Sequence, residues 1–228
     1  MLGKLFGRKA ETQDDSVVVI GMGRFGKSVA TSLAQLGHEV LGIDENAELV
    51  QEMSGTLTHM VQANSTSVET LRQLNIGNFA HAVVAIGSDL EASILSVLAL
   101  SELGVPDIWA KAVNERHGRI LQRTGAHHVI QPEKLMGERV AHLVTSKLME
   151  YITFDDDFAI AQAHAPQDSI DKTLQESALR QRYNVTVVGI KRPGEDFTYG
   201  QPDTMVRHGD VMIIAGKIRD VEAFAGKS

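Results

Sequence analysis

VVVIGMGRFG, residues 17–26, is the stretch of sequence that decides the fold. Its first four residues are β-branched and apolar, which predicts a short buried strand. Three glycines follow at Gly21, Gly23 and Gly26 with G-x-G-x-x-G spacing, and a helical pattern begins directly after them. In such a strand–turn–helix unit the first glycine permits the tight turn and the second permits close approach of a phosphate. The third allows the helix to pack against the strand.

An acidic residue strengthens this interpretation. Asp44 ends the next predicted strand, and nucleotide-binding folds carry a ribose-binding carboxylate about 20 residues beyond the glycines. Glycine triplets also arise by chance, and they can serve packing alone. Because strand, helix and acid occur together here, we predict a dinucleotide-type binding fold.

The composition limits the class of protein. The chain has 228 residues, 43% of them hydrophobic, which suits one large or two small globular domains. No run approaches the ~20 apolar residues of a membrane-spanning helix, and the first residues are too short to resemble a signal peptide, so we expect a cytoplasmic protein. The absence of cysteine excludes disulfides and thiol chemistry. A net charge of −7 makes a nucleic-acid partner unexpected.

Strands and helices alternate from Ser16 onward, as in βαβ units with a parallel sheet. Residues 1–15 are expected to form a flexible tail, with a short contact arm as the alternative. The pattern predicts an α/β fold with a Rossmann-type doubly wound parallel sheet. Its predicted strands are Val17–Ile20, Glu39–Ile43, His59–Gln62, Ala82–Ile86, Ile108–Ala112 and His128–Ile130, and its predicted helices are Arg24–Gly37, Asn46–Met53, Ser67–Leu74, Asp89–Leu103 and Glu115–Thr124.

A long amphipathic segment follows this sheet. Apolar residues recur at three- and four-residue intervals from Leu135 to Ile152, which predicts one helix with a continuous apolar stripe. The sheet already has helices on its faces, so we expect this helix to cross to a second subunit rather than to fold back. The acidic run at residues 155–157 then predicts a hinge, and a solvated turn is the favoured interpretation of it over a metal site.

The remaining residues predict a small α+β domain. Their elements are an alternating strand at Phe158–Ala163, a helix at Ser169–Arg182 and two apolar strands at Val185–Ile190 and Val211–Ala215, with turn residues between them. A domain of this size with few polar clusters is not a convincing substrate-processing domain.

The groups that an enzyme of this fold would need are missing. A dehydrogenase requires a proton-transfer group beside the nicotinamide, but the sequence has no cysteine nucleophile, Tyr-x-x-x-Lys pair or zinc-binding helix motif. His127 and His128 point to opposite faces if they begin a strand, and we interpret them as structural. A nucleotide would therefore be bound without being consumed.

Taken together, the motifs resemble the RCK (regulator of K⁺ conductance) or KTN family, the cytosolic gating subunits of Trk/Ktr potassium-uptake systems. The matching stretches occur in order over nearly the whole chain after residue 15, which is more specific than the glycine motif alone. They are VVVIGMGRFGKSVA, GHEVLGIDEN, VQANSTS, AVVAIGSDLEASIL, IWAKAVNERHGRILQRTGAHHVIQPEKLMGERVA and HGDVMIIAGK.

The resemblance implies a nucleotide-binding domain at 16–134, a crossover dimerisation helix and hinge at 135–154, and a ligand-sensing domain at 155–228. Such subunits form homodimers that assemble into an octameric ring beneath a membrane potassium-channel subunit. ATP and ADP favour different ring shapes, and relatives also bind NAD(H). The protein would then lie at the inner face of the membrane through its channel partner.

The resemblance also implies roles for individual residues. The three glycines would hold the nucleotide phosphates, and Phe25 and Gly87 would also belong to the cofactor-binding residues. Asp44 would bind the ribose, and Asn64 and Ser65 would border the adenine.

Three charged residues would act at the phosphates. Arg24 would reach the terminal phosphate of a nucleotide in the adjacent subunit, with a solvated surface arginine as the alternative. Lys111, where the fifth strand ends, would add a second positive contact. Glu133, one copy from each subunit, would hold Mg²⁺ or a similar divalent cation. Its alternative role is electrostatic stabilisation of a helix N-terminus.

The sequence gives weaker support to other ligands and functions. Relatives that bind cyclic di-AMP carry an arginine and a polar residue after the helix of the C-terminal domain. Arg180 matches the first, but Thr186 and Val187 leave the second in doubt, so this ligand is not predicted. The glycine turn and Asp44 also support an NAD(P)-dependent oxidoreductase, which is the alternative hypothesis. A nucleotide-responsive repressor is weakened by the acidic charge.

Overall fold

A computed structural model describes residues 16–154 and 157–227, and the predicted tail at residues 1–15 lies outside them. The chain folds into two compact units that divide between Glu133 and Lys134. Each unit has its own sheet and its own hydrophobic core.

The first unit contains a six-stranded parallel sheet with strand order β3-β2-β1-β4-β5-β6, so the predicted doubly wound sheet is confirmed. The order reverses between β1 and β4, which creates a crevice at the carboxyl ends of these two strands. The strands are β1 (Ser16–Ile20), β2 (Glu39–Asp44), β3 (His59–Gln62), β4 (His81–Val84), β5 (Asp107–Lys111) and β6 (His128–Ile130), and the helices are α1 (Arg24–Gln35), α2 (Ala47–Met53), α3 (Val68–Gln73), α4 (Leu90–Glu102) and α5 (Glu115–Thr124), with a 3₁₀ turn at Ile76–Asn78.

Helices cover both faces of this sheet, which explains the uninterrupted apolar run of β1. Val17 and Val19 belong to the core cluster that includes Ala30 of α1. Val18 and Ile20 point the other way, into the core cluster that contains residues of α3, α4 and α5. Burying each such side chain contributes about 1.5–3 kcal/mol, so β1 anchors both layers.

Polar side chains fasten three strands together at the amino edge of the sheet. The carboxylate of Asp107 accepts hydrogen bonds from His81 Nδ1 at 2.8 Å and Trp109 Nε1 at 3.0 Å, and His128 Nε2 lies 3.4 Å away. Burial tends to raise the pKa of Asp107, but the bonds from His81 and Trp109 outweigh it, and the pKa is lowered. His127 Nδ1 accepts from the Ile108 N–H. Both histidines of the pair thus have partners, as the structural interpretation predicted.

The second unit is a small α+β domain, as predicted. Its five-stranded sheet has the order β10-β9-β11-β8-β7, and the pairs between neighbouring strands are antiparallel. His142 Nδ1 bonds Glu222 Oε1 at 2.9 Å and so ties its first helix to its last. The elements are α6 (Pro132–Thr145), β7 (Glu150–Phe154), β8 (Phe158–His164), α7 (Leu174–Ser177), α8 (Leu179–Tyr183), β9 (Thr186–Lys191), β10 (Thr198–Tyr199), β11 (Val211–Lys217) and α9 (Ile218–Ala225), with a 3₁₀ turn at Gln167–Ser169.

The predicted helix from Leu135 to Ile152 is wrong in its second half. Helix α6 ends at Thr145, and the backbone of Met149 already pairs with Gln162 of β8. Tyr151 is buried in the second core, whereas Ile152 lies on the other face of β7 and is exposed. Apolar residues three and four positions apart are typical of a helix, but the aromatic and β-branched residues of this segment favour a strand.

The predicted hinge at residues 155–157 is also corrected. Phe154 of β7 pairs with Phe158 of β8, so the acidic run connects two neighbouring strands of one sheet. Asp155 and Asp156 lie outside the described residues, and Asp157 forms an ion pair with Lys217 at 3.5 Å. The division of the chain into functional domains at 16–134, 135–154 and 155–228 stays a prediction.

The predicted helix Ser169–Arg182 is broken. Asp171 adopts the left-handed conformation at φ 60°, and Thr173 forms an antiparallel bridge with Met205. Hydrogen bonds from Asp171 N to Val206 O at 2.9 Å and from Leu174 N to Thr204 O at 3.0 Å flank this bridge. Two short helices follow, separated by Ala178 in the left-handed conformation at φ 47°. Long-range pairing with residues 204–206 therefore overrides the local helical pattern.

None of the helices in the described ranges is long and apolar enough to cross a membrane.

His117 makes the stability of the first unit sensitive to pH. Its Nε2 is buried without a hydrogen-bond partner among the described residues, and burial lowers its pKa below 6.5. Unfolding then takes up a proton, so the free energy of unfolding falls as the pH drops below 6.5, by at most ~1.4 kcal/mol per pH unit. We expect His117→Phe to flatten this slope in urea titrations followed by the single tryptophan, Trp109. Substitution of the exposed His208 is the control and should leave the slope unchanged. If His117→Phe also leaves the slope unchanged, the prediction is contradicted.

Candidate functional site

Backbone conformation and close packing require glycine at two positions of the glycine turn, residues 21–26. Gly21 has φ +93°, a conformation that L side chains rarely adopt, and its N–H donates to Ile43 O of the neighbouring strand at 2.8 Å. A Cβ on Gly26 would lie 1.8 Å from the Gly21 carbonyl oxygen. Only glycine fits at position 26, because the first turn of α1 rests directly on the turn that precedes it.

Gly23 has a different role from its two neighbours. Its φ of −68° is open to any residue, and a Cβ there would meet nothing within 4 Å. It occupies the N-cap position of α1 without a side-chain cap, whereas Asn46, Ser67, Asp89 and Asn114 cap the next four helices. The first N–H groups of α1 and the positive end of its dipole are therefore available to an anion.

Asp44 holds this turn in position. Its Oδ2 accepts from the Met22 N–H at 2.6 Å and its Oδ1 from the Asn46 N–H at 2.8 Å. A carboxylate has about four acceptor positions, so two remain for other donors such as ribose hydroxyls. The ribose role stays a prediction, and the bond to Met22 is a structural role that the sequence did not reveal.

A cationic corner lies beside the glycine turn. It consists of Arg24, Phe25, Gly87, Lys111 and Glu133, all from the carboxyl edge of the first sheet. The Lys111 side chain is only 12% exposed, and its Nζ donates to Glu133 Oε1 at 2.7 Å. The same Nζ stands 5.7 Å from the centre of the Phe25 ring and 3.3 Å from where a Cβ on Gly87 would lie. A larger residue than glycine at 87 would crowd the lysine.

Glu133 faces the solvent in this corner. The hydrogen bond from Lys111 lowers its pKa, and the positive charges of Lys111 and Arg24 contribute further. Arg24 is exposed and forms no ion pair with any described residue. Sequence reasoning named all five residues of the corner, but it did not foresee that Lys111 and Glu133 would pair with each other.

The metal prediction depends on a second copy of the chain. Within 16–154 and 157–227, no group of three or more His, Asp or Glu side chains is arranged to hold a metal ion. Glu133 offers an exposed carboxylate, the oxygen ligand that Mg²⁺ prefers, but only one per chain. The cation site shared by two copies of Glu133 stays a prediction.

Asn64 and Ser65 follow β3 and are engaged locally. Asn64 Oδ1 accepts from the Thr66 N–H at 2.8 Å and from the Thr66 hydroxyl. Ser65 is buried, and its hydroxyl donates to Ser96, which itself donates to Ala92 O. No hydrogen bond between described residues joins them to the cationic corner, so their role beside an adenine stays a prediction.

The second unit has a groove of its own. Arg180 lines a volume of about 420 Å³ together with Leu174, Gln175, Ala178, Leu179, Gln181 and Pro202. Thr186 and Val187, the positions left in doubt from the sequence, belong to β9 and are not among the lining residues.

Comparison with known proteins identifies the family of this chain. The TrkA-N domain family matches residues 17–132, and the TrkA-C domain family matches residues 162–227. Ktr system potassium uptake protein A of Bacillus subtilis (strain 168) is 37% identical over 207 residues, which cover 90% of this chain and 93% of that protein. The chain belongs to this family of potassium-uptake proteins with TrkA-N and TrkA-C domains.

Solved structures of one channel, GsuK, share the fold. The GsuK RCK domain superposes with a TM-score of 0.66 at 18% identity, covering 97% of this chain and 49% of that one, so this chain spans about half its length. The GsuK channel bound to NAD has a TM-score of 0.65 at 17% identity, and the match covers 95% of this chain and 40% of that one. GsuK bound to ADP has a TM-score of 0.50 at 26% identity, and the match covers 59% of this chain and 35% of that one. The chain is not an oxidoreductase, although its first sheet is built like the NAD-binding domain of a dehydrogenase.

The two glycines of the turn should behave differently when they are changed. We expect Gly26→Ala to lower the free energy of unfolding by several kcal/mol, because its Cβ would clash with the Gly21 oxygen. Gly23→Ala should fold with nearly native stability but bind ADP at least tenfold more weakly, because its methyl group occupies the space before the α1 N-terminus. Thermal unfolding and calorimetric ADP titration separate the two effects. Native ADP affinity in Gly23→Ala would refute the anion role of this turn.

Proposed function

We propose that this protein is a cytosolic regulatory subunit that senses nucleotides and gates the membrane channel subunit of a Trk/Ktr-type potassium-uptake system. ATP and ADP would bind at the glycine turn and favour different shapes of a homo-oligomeric ring, an octamer built from dimers. The observation that carries the proposal is the pair of cations, Arg24 and Lys111, beside the uncapped N-terminus of α1.

The charge of the site supports a nucleotide with terminal phosphates. The first turn of α1 and its dipole are sufficient for the diphosphate of a dinucleotide. Two further cations suit the additional negative charge of ATP or ADP, and a guanidinium binds phosphate through two parallel hydrogen bonds. GsuK has been solved with ADP and with NAD, so NAD(H) remains the competing ligand.

The exposure of Arg24 supports a role between subunits. Its guanidinium is exposed, and no described carboxylate pairs with it, so it is free to reach a phosphate held by a neighbouring copy. An arginine supplied in this way would detect the terminal phosphate only when two subunits are correctly placed. Glu133 from each copy would hold Mg²⁺ or a similar cation beside the same phosphates.

Helix α6 supports the dimer. No residue of this helix is buried in the single chain, and its apolar side chains Leu135, Met136, Val140 and Val144 are exposed. Exposed apolar stripes of this kind mark interaction surfaces, so we propose α6 as the crossover dimerisation helix.

Gating then follows from linkage. A nucleotide shifts the ring only by its differential affinity for the two shapes. If ATP favours the shape that opens the channel, engagement of the channel must raise the affinity for ATP by the same factor. The protein would lie at the inner face of the membrane through this partner.

The function is tested by titrating the purified protein with ATP, ADP and NADH while following assembly size and binding to the membrane subunit. We expect ATP and ADP to give different assemblies and different channel affinity. The same assembly size and the same affinity for the membrane subunit with ATP and with ADP would refute the proposal.

The role of Arg24 has its own test. We expect Arg24→Ala to weaken ATP binding about 10–100-fold, the value of a charge-assisted hydrogen bond, and ADP binding much less, because ADP lacks the third phosphate. Calorimetric titration of both ligands measures this, with Arg72→Ala as a control because Arg72 is exposed on α3 and pairs with Glu69. Equal loss for ATP and ADP would refute the terminal-phosphate role.

A further inference from the structure

Helix α6 and strand β7 enclose a cleft in the second unit, here named the α6–β7 groove, with a volume of about 280 Å³. The strand lines it with the consecutive residues 151–153. The helix lines it with residues that recur at intervals of three and four positions and so share one face of α6. They are Leu135, Glu138, Arg139 and His142.

The α6–β7 groove follows the open edge of the second sheet. Strand β7 is the last strand in the sheet order, and among the described strands it pairs with β8 alone. Successive side chains of a strand point to opposite faces, and accordingly Tyr151 is buried in the core whereas Ile152 is exposed on the other face. A cleft that touches residues 151, 152 and 153 therefore lies beside the strand's edge, where unpaired N–H and C=O groups are available to another chain.

Two contacts hold the walls of this groove in place. The Arg139 guanidinium pairs with Glu150 at the start of β7. The His142 ring packs on the Tyr151 ring, with the ring centres 4.4 Å apart. The fold of the unit itself thus fixes the helix beside the strand, and a preformed groove lowers the free-energy cost of binding.

The dimensions of the groove suit an extended peptide. Helix residues 135–142 span ~10 Å at a rise of about 1.5 Å per residue, and three residues of a strand span about the same length. A peptide that adds a strand to an open sheet edge gains affinity from its main-chain hydrogen bonds and specificity from its side chains. The groove thus accepts ~3 residues of such a peptide.

The lining of the groove favours apolar and basic side chains. Leu135 is 61% exposed on the helix side and Ile152 is 54% exposed on the strand side. Arg139 and His142 already have acidic partners. Glu138 is exposed and forms no ion pair or hydrogen bond with any described residue. The unpaired charge of the groove is therefore negative, which favours a lysine or an arginine in the ligand.

The groove is separate from the surface proposed for dimerisation. Met136, Val140 and Val144 recur at four-residue intervals, so they share a face of α6 that is turned away from Leu135 and His142. A second copy is also a poor occupant, because its own β7 would bring a second α6 into the same space, and packed helices need about 8–10 Å between their axes.

We infer that the α6–β7 groove is a docking site for an extended segment of a partner protein that carries apolar and basic residues. The segment adds to the five-stranded sheet as a further strand beside β7. Its apolar side chains cover Leu135 and Ile152, and a lysine or an arginine pairs with Glu138. The groove lies wholly within the second unit, so this ligand is additional to the nucleotide proposed for the glycine turn.

The test uses the full chain and synthetic peptides of about eight residues, longer than the groove requires, with binding measured by calorimetry. The basic probe alternates valine and lysine, and the acidic probe alternates valine and glutamate. We expect the basic probe to bind, and the acidic probe to bind at least about tenfold more weakly because Glu138 repels it.

Substitutions of exposed residues test the lining without disturbing the core. Leu135→Ser and Ile152→Ser should each weaken binding of the basic probe about tenfold, through lost apolar burial. Glu138→Lys should weaken it about threefold to tenfold. Glu102→Lys is the matched control, because Glu102 is exposed at the end of α4 and its substitution changes the net charge equally. This control should bind the probe like the native protein.

Methylation of the probe's backbone nitrogens tests whether it binds as a strand. Alternate N–H groups of an added strand point toward its neighbour, so methylating one alternate set should abolish binding and methylating the other should change it by less than about threefold. The amides of β7 should also exchange their hydrogens more slowly in the complex.

Any of four results would overturn the inference. The native protein does not bind the basic probe, Glu102→Lys weakens binding as much as Glu138→Lys, or the two methylated probes bind equally well. The fourth is a lower assembly mass in Ile152→Ser, which would assign the open edge to a second copy. Failure of the proposed function would appear separately, in assembly measurements without peptide that do not distinguish ATP from ADP.

Discussion

The contact of Gly26 with the carbonyl oxygen of Gly21 is the constraint on which the site depends. It seats the first turn of α1 on the end of β1 at a distance that no Cβ permits. The helix N-terminus is consequently aimed at the crevice between β1 and β4, where the strand order reverses. Because Gly23 supplies no side-chain cap, the first N–H groups of α1 have no capping partner there, and we propose that they bind an anion.

The charged residues around this turn have different structural roles. Asp44 stabilises the turn through the Met22 N–H while keeping acceptor positions free. Lys111 and Glu133 form an ion pair in the cationic corner, and Arg24 is exposed. In the proposed nucleotide site, the helix dipole, the two cations and the exposed counter-ion would respond to the charge of the ligand. The chain belongs to a family of potassium-uptake proteins.

Sequence reasoning succeeded where local pattern and tertiary structure agree, and it failed where they differ. The parallel sheet followed from its alternating strands and helices, since each β-branched run is buried by helices of its own neighbourhood. The apolar spacing around Tyr151 and Ile152 fits 3.6 residues per turn and so predicts a helix, yet pairing with β8 makes this segment a strand. Residues 171–173 are not helical for a similar reason, because this segment is bonded to residues 204–206.

The sequence by itself determined the doubly wound sheet, the need for glycine at positions 21 and 26 and the position of Asp44 at a strand end, because all of these follow from short-range spacing. It also named the members of the cationic corner. Only the tertiary structure decided that Lys111 is buried against Phe25 and paired with Glu133, a residue 22 positions further along the chain. That pairing depends on how far the end of β5 lies from the start of α6 in space, and no local pattern encodes such a distance.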